Sequence, residues 1–528
     1  MAARMPRRLR LNPLSPHIRW RDRGIDVLVG AVGVLALAPF AIWPFILAMV
    51  AGLFLRAGRA GPREGWSTGF WTGMGYFGVG MFWIAQAFVE RGPEFIPLIV
   101  PLVLGLFVLL SLFWGAAMAA YARLRSGTAW DVALFAGLLF CAEWLRGHLF
   151  GGFPWNLPGY AWEAGSALSQ GAAWVGVYGL TLLVVLIGAG LGLAVRRRDR
   201  PRAALAPVAA SALALSGLWG FGAHRLANAT VEVRGDTLAR LVYIPFRQRE
   251  MMDPARAVGF TNDYFRETLS RPMDGITHIV WPEGAVRGVA MDNLGFLGVF
   301  ASALEAPPPF LFSSIRVEEG PQFREGVRYF NTAVAVDYPD GYPRVAAIAD
   351  KKRLVPFAEA VPLTPVMDAI GFEALAATFT AGADKAPVDY PGLDNLSVQI
   401  CYEAIFPGLT EGEPDLILNQ SNDAWFGNLH GPHQHAAITR MRAVEEGAPI
   451  LRAAANGWSG LVDPYGRWVV SVSPNVKGSQ DVTLVKRIAP TRYSGYVNLL
   501  LLVMAGSLAL CASYVGQHAR WGSRAVEE

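Results

Sequence analysis

The sequence contains few charged residues and few cysteines for its length. Charged side chains make up 17% of the 528 residues, whereas hydrophobic ones make up 53%. Soluble proteins carry about 25% charged residues, so this composition excludes an ordinary soluble protein and predicts membrane segments. The formal net charge is only +4, and the arginines lie in short clusters between apolar runs. The sequence therefore gives no indication of nucleic-acid binding.

Only three cysteines occur, which excludes a disulfide framework. Cys141 and Cys511 lie within strongly apolar stretches, where a small buried thiol is the ordinary interpretation. Cys401 stands in a polar region and has no neighbouring cysteine. An unpaired thiol in such a region predicts a reactive side chain.

Motifs for bound metals and nucleotides are missing as well. The histidines contain no zinc-ligand spacing, and His433 and His435 are too close together to form a pair one helical turn apart. No phosphate loop or dinucleotide fingerprint follows a predicted strand. We therefore expect no metal and no cofactor.

Several apolar stretches approach or exceed the roughly 20 residues that a membrane-spanning helix needs. Six of these predicted spans cover residues 69–89, 96–121, 132–149, 167–195, 203–221 and 497–515. A further stretch, 25–55, contains Pro39 and Pro44, which divide it into a hairpin of two short spans. The sequence thus predicts about eight transmembrane helices.

Arginine clusters flank the predicted spans and set their orientation. When the eight spans alternate in direction, five clusters fall on the same side of the membrane: 7–23, 56–63, 123–125, 196–202 and 520–524. By the positive-inside rule this side is the cytoplasm, so the segment from about residue 223 onward lies outside. A signal peptide cleaved after Ala38 would leave this orientation unchanged, but Pro39 directly after that site argues against cleavage.

Between residues 223 and 493 the sequence changes to short apolar runs separated by turns, which predicts an α/β domain. The predicted strands cover residues 238–244, 278–281, 310–315, 332–336, 345–349, 396–400, 416–419 and 451–454. The clearest predicted helices cover 254–269, 294–304 and 433–446. The chain thus divides into a membrane domain of seven helices (1–222), the α/β domain (223–493), and a last transmembrane helix with its tail (494–528).

Three polar side chains follow predicted strands of the α/β domain, where a strand end can present a side chain to a cleft. These are Glu283, Lys351 and Cys401. Taken singly, each has an ordinary alternative: a solvated turn residue, part of a basic face, or a small buried residue. Together they supply what acyl transfer through a thiol needs, namely a base, a cation for the oxyanion and a nucleophile.

The order Glu283, Lys351 and Cys401 resembles the catalytic set of the nitrilase superfamily. Other runs resemble motifs of the bacterial apolipoprotein N-acyltransferase family, at residues 152–156 (GFPWN), 176–181 (GVYGLT), 354–357 (LVPF), 401–403 (CYE), 421–427 (SNDAWFG) and 431–435 (GPHQH). The resemblance covers almost the whole chain. It implies a multi-pass α-helical membrane domain joined to a nitrilase-like α-β-β-α sandwich.

The resemblance also implies an activity, the transfer of the sn-1 acyl chain of a phospholipid through a Cys401 thioester to the N-terminal amine of a diacylglyceryl-cysteine lipoprotein. Glu283 would be the general base, and Lys351 would stabilise the oxyanion. Four further residues are expected to support catalysis or bind substrate: Glu359, Tyr402, Glu403 and Trp425. The enzyme would be a monomer embedded in the bacterial inner membrane, with a periplasmic catalytic domain, and its partners would be the phospholipid donor and the lipoprotein acceptor, with no nucleic acid.

Two other functions remain open from the sequence. A membrane-anchored amidase or nitrilase would use the same three residues to hydrolyse a small carbon–nitrogen bond, although a soluble substrate would need only one anchor. A transporter with a ligand-binding outer domain would need a polar path, and the spans contain few charges, among them Glu143 and Arg146. The apolar stretch 361–380 is either a lid that enters the outer leaflet or an ordinary core helix.

Overall fold

The computed structural model describes residues 20–59, 61–286, 288, 294–321, 326–356, 358–360, 379–383, 386–409, 411–493 and 495–527. The stretch 361–380, for which a lid or a core helix is predicted, therefore lies outside the described residues except for Phe379 and Thr380. The described ranges form a helical domain, an α/β domain and a last helix, in that order.

The first part of the chain is helical. Its α-helices are α1 Trp20–Val34, α2 Pro44–Ala57, α3 Pro62–Met81, α4 Ala85–Arg91, α5 Gly105–Leu124, α6 Asp131–His148, α7 Ala172–Arg196 and α8 Pro201–Ala227. Proline starts α2, α3 and α8, because the first helical N–H has no partner within a helix. The predicted interruption of the stretch 25–55 is confirmed, since α1 ends at Val34 and α2 begins at Pro44.

The third helix differs from the predicted span 69–89, because α3 already begins at Pro62 and ends at Met81. Three glycines recur at every fourth residue of α3 and face α5: Gly65, Gly69 and Gly73. A Cβ atom at Gly69 would overlap the carbonyl oxygen of Trp114 on α5. Small residues at this spacing let two membrane helices pack backbone against backbone. A search for apolar runs places the start of such a helix too late, because its first residues include charged side chains and glycine contributes little hydropathy.

The second part of the chain contains two six-stranded sheets within the described residues. Their strands are β1 Val233–Tyr243, β2 His278–Val280, β3 Phe310–Glu319, β4 Val327–Asp337, β5 Arg344–Asp350, β6 Val388–Tyr390, β7 Leu393–Ile400, β8 Leu416–Asn422, β9 Ile450–Ala455, β10 Ser459–Val462, β11 Trp468–Val472 and β12 Gly478–Val485. The strand orders are β12-β1-β2-β3-β4-β5 and β11-β10-β9-β8-β7-β6. The eight predicted strands are confirmed as β1 to β5 and β7 to β9, whereas β6, β10, β11 and β12 were not predicted.

Helices cover the outer faces of both sheets. The remaining helices of the described chain are α9 Gln248–Met252, α10 Pro254–Thr268, α11 Gly298–Ala303, α12 Gly431–Glu446 and α13 Gly495–Glu527. On the first sheet, Tyr264 and Phe265 of α10 pack against Trp281. On the second, Ala443 of α12 packs with Ile417 of β8. Leucines of β1, β3, β7 and β8 fill the space between the sheets, so the predicted α-β-β-α sandwich is confirmed.

Five helical segments of the described chain are long and apolar enough to cross a membrane: Pro93–Leu124, Asp131–Gly151, Leu168–Arg196, Pro201–Ala227 and Tyr496–His518. Each corresponds to a predicted span. The other three predicted crossings fall on α1, α2 and α3, which are shorter or less apolar. The count of eight therefore stays a prediction. The predicted boundary after residue 222 falls inside α8, which continues to Ala227.

Candidate active site at the junction of the domains

Glu283, Lys351 and Cys401 lie just beyond the ends of β2, β5 and β7. Lys351 Nζ is 3.7 Å from Glu283 Oε1, and both charges act on the Cys401 thiol. Because β2 and β5 belong to one sheet and β7 to the other, the site lies where the strand ends of the two sheets meet. The backbone N–H of Asn422 donates to Glu283 Oε2 at 3.0 Å and so joins the sheets at this point.

Lys351, Glu283 and Glu359 form one closely spaced group, called the Lys351 cluster below. Lys351 Nζ is 2.8 Å from Glu359 Oε1, and Asn331 Nδ2 donates to both carboxylates, at 2.7 Å to Glu283 and 3.1 Å to Glu359. Burial alone would lower the pKa of Lys351, but the charges of Glu359 and Glu283 outweigh it and raise that pKa. Lys351 is therefore a permanent cation. Across the described ranges, no group of three or more histidine, cysteine or carboxylate side chains is arranged to hold a metal ion.

Cys401 follows β7 directly and opens the 3₁₀ turn Cys401–Ile405. Its φ of 50° lies in the left-handed region, which is uncommon for a residue with a side chain and which the surrounding structure must stabilise. Burial, and then the carboxylate of Glu283, raise the pKa of the thiol, while Lys351 lowers it in part. The resting thiol is therefore protonated and needs a base before it can attack a substrate.

Glu403 is fully buried and accepts three backbone hydrogen bonds. Its Oε1 accepts from Lys352 N at 2.6 Å and Arg353 N at 3.1 Å, and its Oε2 accepts from Ile400 N at 2.7 Å. Burial raises the pKa of Glu403, and the Lys352 charge opposes this in part. The carboxylate thus joins the loop after β5 to the turn that carries Cys401. Of the two roles that the sequence leaves open for Glu403, supporting catalysis or binding substrate, this position favours the first, because Glu403 fixes those two segments.

Tyr402 joins the site to the membrane domain. Its hydroxyl donates to the carbonyl oxygen of Gly152 at 3.0 Å, and its ring stacks on Phe153 with 6.3 Å between centroids. Both partners belong to the GFPWN motif at 152–156. Trp425, also predicted to support the site, lies half-buried in the 3₁₀ turn Asp423–Phe426 after β8. Its contact with a substrate stays a prediction.

Gln434 makes a second contact between the domains, through both the oxygen and the nitrogen of its side-chain amide. Its Oε1 accepts from Trp83 Nε1 at 3.1 Å and from Trp155 Nε1 at 2.8 Å, and its Nε2 donates to the carbonyl oxygen of Gly80 at 3.0 Å. The side chain is buried, so these hydrogen bonds satisfy polar atoms that would otherwise be costly to bury. Gln434 therefore fixes the start of α12 against the membrane domain.

Glu445, near the other end of α12, makes a third contact. Its Oε1 accepts from the backbone N–H of Val177 at 2.7 Å. That N–H is free of a helical partner because Gly176, with φ 62° and ψ −179°, interrupts α7 at this point. The carboxylate thus caps the second half of the helix, where a negative charge is stabilising.

The structure adds residues that the sequence did not identify as part of the site. His435 Nε2 lies 3.1 Å from the Cys401 carbonyl oxygen, and His435 Nδ1 lies 2.8 Å from Asp423 Oδ1. Both residues belong to motifs that carry the family resemblance, so the signal was present without an assigned role. Asn331 had no such signal, because it lies on β4, 48 residues from Glu283 in sequence.

The sequence is similar to known families over nearly its full length. Residues 29–190 match the family model described as apolipoprotein N-acyltransferase N-terminal domain, and residues 310–493 match the carbon-nitrogen hydrolase model. The chain is 34% identical over 520 residues to the apolipoprotein N-acyltransferase of Caulobacter vibrioides, covering 94% of this chain and 96% of the relative. It is 35% identical over 512 residues to the protein of the same name from Bradyrhizobium diazoefficiens, covering 93% and 95%. These matches and the fold agree, and the chain belongs to the apolipoprotein N-acyltransferase family.

Proposed function

We propose that this chain transfers the sn-1 acyl chain of a phospholipid to the N-terminal amine of a diacylglyceryl-cysteine lipoprotein, the last step of lipoprotein maturation. One observation carries the proposal: the turn that bears Cys401 is bonded to the membrane domain through Tyr402 and Gly152. A nucleophile at this junction can react with a lipid whose chains stay in the bilayer. Moving a chain into water would cost about 0.8 kcal/mol for each CH₂.

The first half-reaction loads the enzyme. Glu283 takes the proton of the Cys401 thiol, and the sulfur attacks the ester carbonyl of the phospholipid. The negative charge that develops on the carbonyl oxygen is stabilised by the Lys351 cation. The tetrahedral intermediate expels the lysophospholipid alkoxide, which takes the proton back from Glu283. A thioester on Cys401 remains.

The second half-reaction transfers the acyl chain. The lipoprotein amine attacks the thioester carbonyl and loses a proton to Glu283, and Lys351 again stabilises the oxyanion. Collapse of this intermediate forms the amide and expels the thiolate of Cys401, which Glu283 reprotonates. Glu359 holds Lys351 through the 2.8 Å contact and shares Asn331 with Glu283, so we assign it the role of orienting both groups.

We expect the purified protein to acylate a synthetic diacylglyceryl-cysteine peptide when mixed vesicles supply phospholipid. Mass spectrometry of the peptide measures the added chain, and the matching lysophospholipid should appear in equal amount. The membrane-anchored amidase would give a different result, since it would release ammonia from small amides and leave the peptide unchanged. A transporter would do neither.

We further propose that the chain lies in the bacterial inner membrane with its α/β domain in the periplasm. The arginine clusters at 56–63, 123–125 and 196–202 support this orientation. In a variant without the three native cysteines, a cysteine at Thr230 should react in intact spheroplasts with a membrane-impermeant thiol reagent, whereas one at Arg198 should not. These positions lie beyond opposite ends of α8. The reverse pattern would overturn the orientation.

A further inference from the structure

His435 is a buried histidine with a partner at each ring nitrogen. Its Nε2 lies 3.1 Å from the carbonyl oxygen of Cys401, and its Nδ1 lies 2.8 Å from Asp423 Oδ1. The ring is fully buried and lies beside Trp155 of the membrane domain, with 5.6 Å between ring centroids. Each ring nitrogen has a protein partner within hydrogen-bond distance, and these two partners determine where the ring hydrogens are.

Both partners of His435 are hydrogen-bond acceptors only. A backbone carbonyl oxygen has no hydrogen to donate. Burial raises the pKa of Asp423, but the always-charged guanidinium of Arg452, whose Nη2 donates to Asp423 Oδ2 at 2.7 Å, is the strongest of the influences that lower it. Asp423 is thus an anion at neutral pH, and its Oδ1 also accepts from Ser421 Oγ at 2.6 Å. Two acceptor partners require a hydrogen on both ring nitrogens, which makes the ring a cation.

The position of Arg452 agrees with this assignment. Its Nη2 donates to Asp423 Oδ2 at 2.7 Å and lies 3.3 Å from His435 Nδ1. A guanidinium group can only donate. His435 Nδ1 is closer to the Asp423 carboxylate than to Arg452, so its hydrogen points toward the carboxylate. The two cations approach each other because the Asp423 carboxylate bonds to both. His435, Asp423 and Arg452 form the His435 cluster.

The His435 cluster and the Lys351 cluster carry opposite net charges near Cys401. Two carboxylates and one lysine give the Lys351 cluster a net charge of −1, and an imidazolium gives the His435 cluster a net charge of +1. Among the described residues, Glu403 and Lys352 form a further charged pair close to the turn that bears Cys401, and this pair is neutral in sum. With a neutral imidazole, the buried groups around the thiol would total −1 and would oppose a thiolate.

We propose that His435 is a positioning residue that acts as an imidazolium behind the nucleophile. It donates to the carbonyl of Cys401, which holds that residue in its left-handed conformation, and its charge favours the thiolate. The proposal rests on the proposed function, in which Cys401 is the nucleophile, and it assigns to His435 a positive charge that acts on this residue. Lys351 would act on the substrate oxygen, whereas His435 would act on Cys401 itself.

The test compares His435→Gln with His433→Gln in protein that keeps Cys401 as its only cysteine. Glutamine retains an N–H donor near the position of Nε2 but carries no charge. His433 is a matched control on the same helix, because its Nδ1 accepts from Trp458 Nε1 at 3.1 Å, so this ring is a neutral tautomer. Alkylation of Cys401 by iodoacetamide measures the thiolate, and acyl loading from phospholipid vesicles measures the first half-reaction.

We expect His435→Gln to slow alkylation about tenfold between about pH 7 and pH 9, because each unit of thiol pKa changes the thiolate population tenfold. Acyl loading should fall by a similar factor and recover as the pH rises, whereas His433→Gln should change neither measurement. Alkylation needs no lipid, so it tests His435 even if the wild-type protein fails to load an acyl chain. A wild-type protein that fails to load an acyl chain would count against the proposed function and not against the role of His435.

A spectroscopic signature decides the protonation state directly and does not depend on a variant that folds. The wild-type protein is labelled with ¹⁵N-histidine, and both ring nitrogens of His435 should have the chemical shifts of protonated nitrogens at pH 7. The His435 signals are assigned by comparison with the His435→Gln spectrum. If that variant does not fold, contacts to Trp155 assign them. A neutral-tautomer pattern would overturn the proposal. So would an unchanged alkylation rate in folded His435→Gln protein.

Discussion

After incubation with phospholipid and without acceptor, the peptide that carries Cys401 should gain the mass of one acyl chain. The physical reason is that two bulky lipids must use one cleft in turn. A thioester lets the lysophospholipid leave before the amine arrives. Adding the diacylglyceryl peptide should then remove the acyl mass from the enzyme. Intact-protein and peptide mass spectrometry measure both steps.

Cys401→Ala should abolish both loading and transfer, because the thioester of the proposed mechanism forms on the Cys401 sulfur. The variant should still fold, because alanine fills most of the space of the cysteine side chain. Alanine is also no less compatible than cysteine with the φ of 50° at this position. The matched control is Cys141→Ser with Cys511→Ser, two positions on α6 and α13 outside the site, which should load normally. Acyl mass on Cys141 or Cys511, or transfer by Cys401→Ala, would refute the mechanism.

The central strands and their polar ends could be predicted from sequence because the pattern is local. An apolar run such as 396–400 predicts a buried strand, and the next residue is then a candidate for the cleft. The missed strand β12 has no such pattern, since Gly478, Gln480 and Asp481 interrupt it. It pairs with β1, more than 200 residues away, and that pairing decides its structure.

The role of Glu403 could not be predicted for a related reason. Its position two residues after Cys401 suggested only that it supports catalysis or binds substrate. Two of its three hydrogen-bond donors, Lys352 and Arg353, are about 50 residues away in sequence, and only the folded chain reveals them. The charge of His435 is equally hidden, because it follows from two acceptor partners that the sequence does not place together. Sequence thus predicts the groups that would react, whereas tertiary contacts indicate the groups that would position them.

Glu283→Gln should slow acyl loading about a hundredfold to ten-thousandfold, the usual contribution of a general base. The thiol proton would then have no acceptor in the Lys351 cluster, because Glu359 is already held by Lys351 and by the backbone N–H of Val355. The new amide would also disturb the bond from Asn331, so a loss of loading alone would not separate the base from a structural role. A second measurement does so.

The carboxylate of Glu283 raises the pKa of the Cys401 thiol, so removing its charge should lower that pKa. Alkylation of Cys401 by iodoacetamide should therefore become faster in Glu283→Gln while acyl loading becomes slower. A distorted site would slow both reactions, and a spectator carboxylate would leave loading unchanged. The matched control is Glu318→Gln on β3 of the same sheet, where an exposed ion pair with Arg328 is worth about 0–1 kcal/mol and both rates should stay as they are. Opposite changes in the two rates would identify Glu283 as the group that accepts the thiol proton.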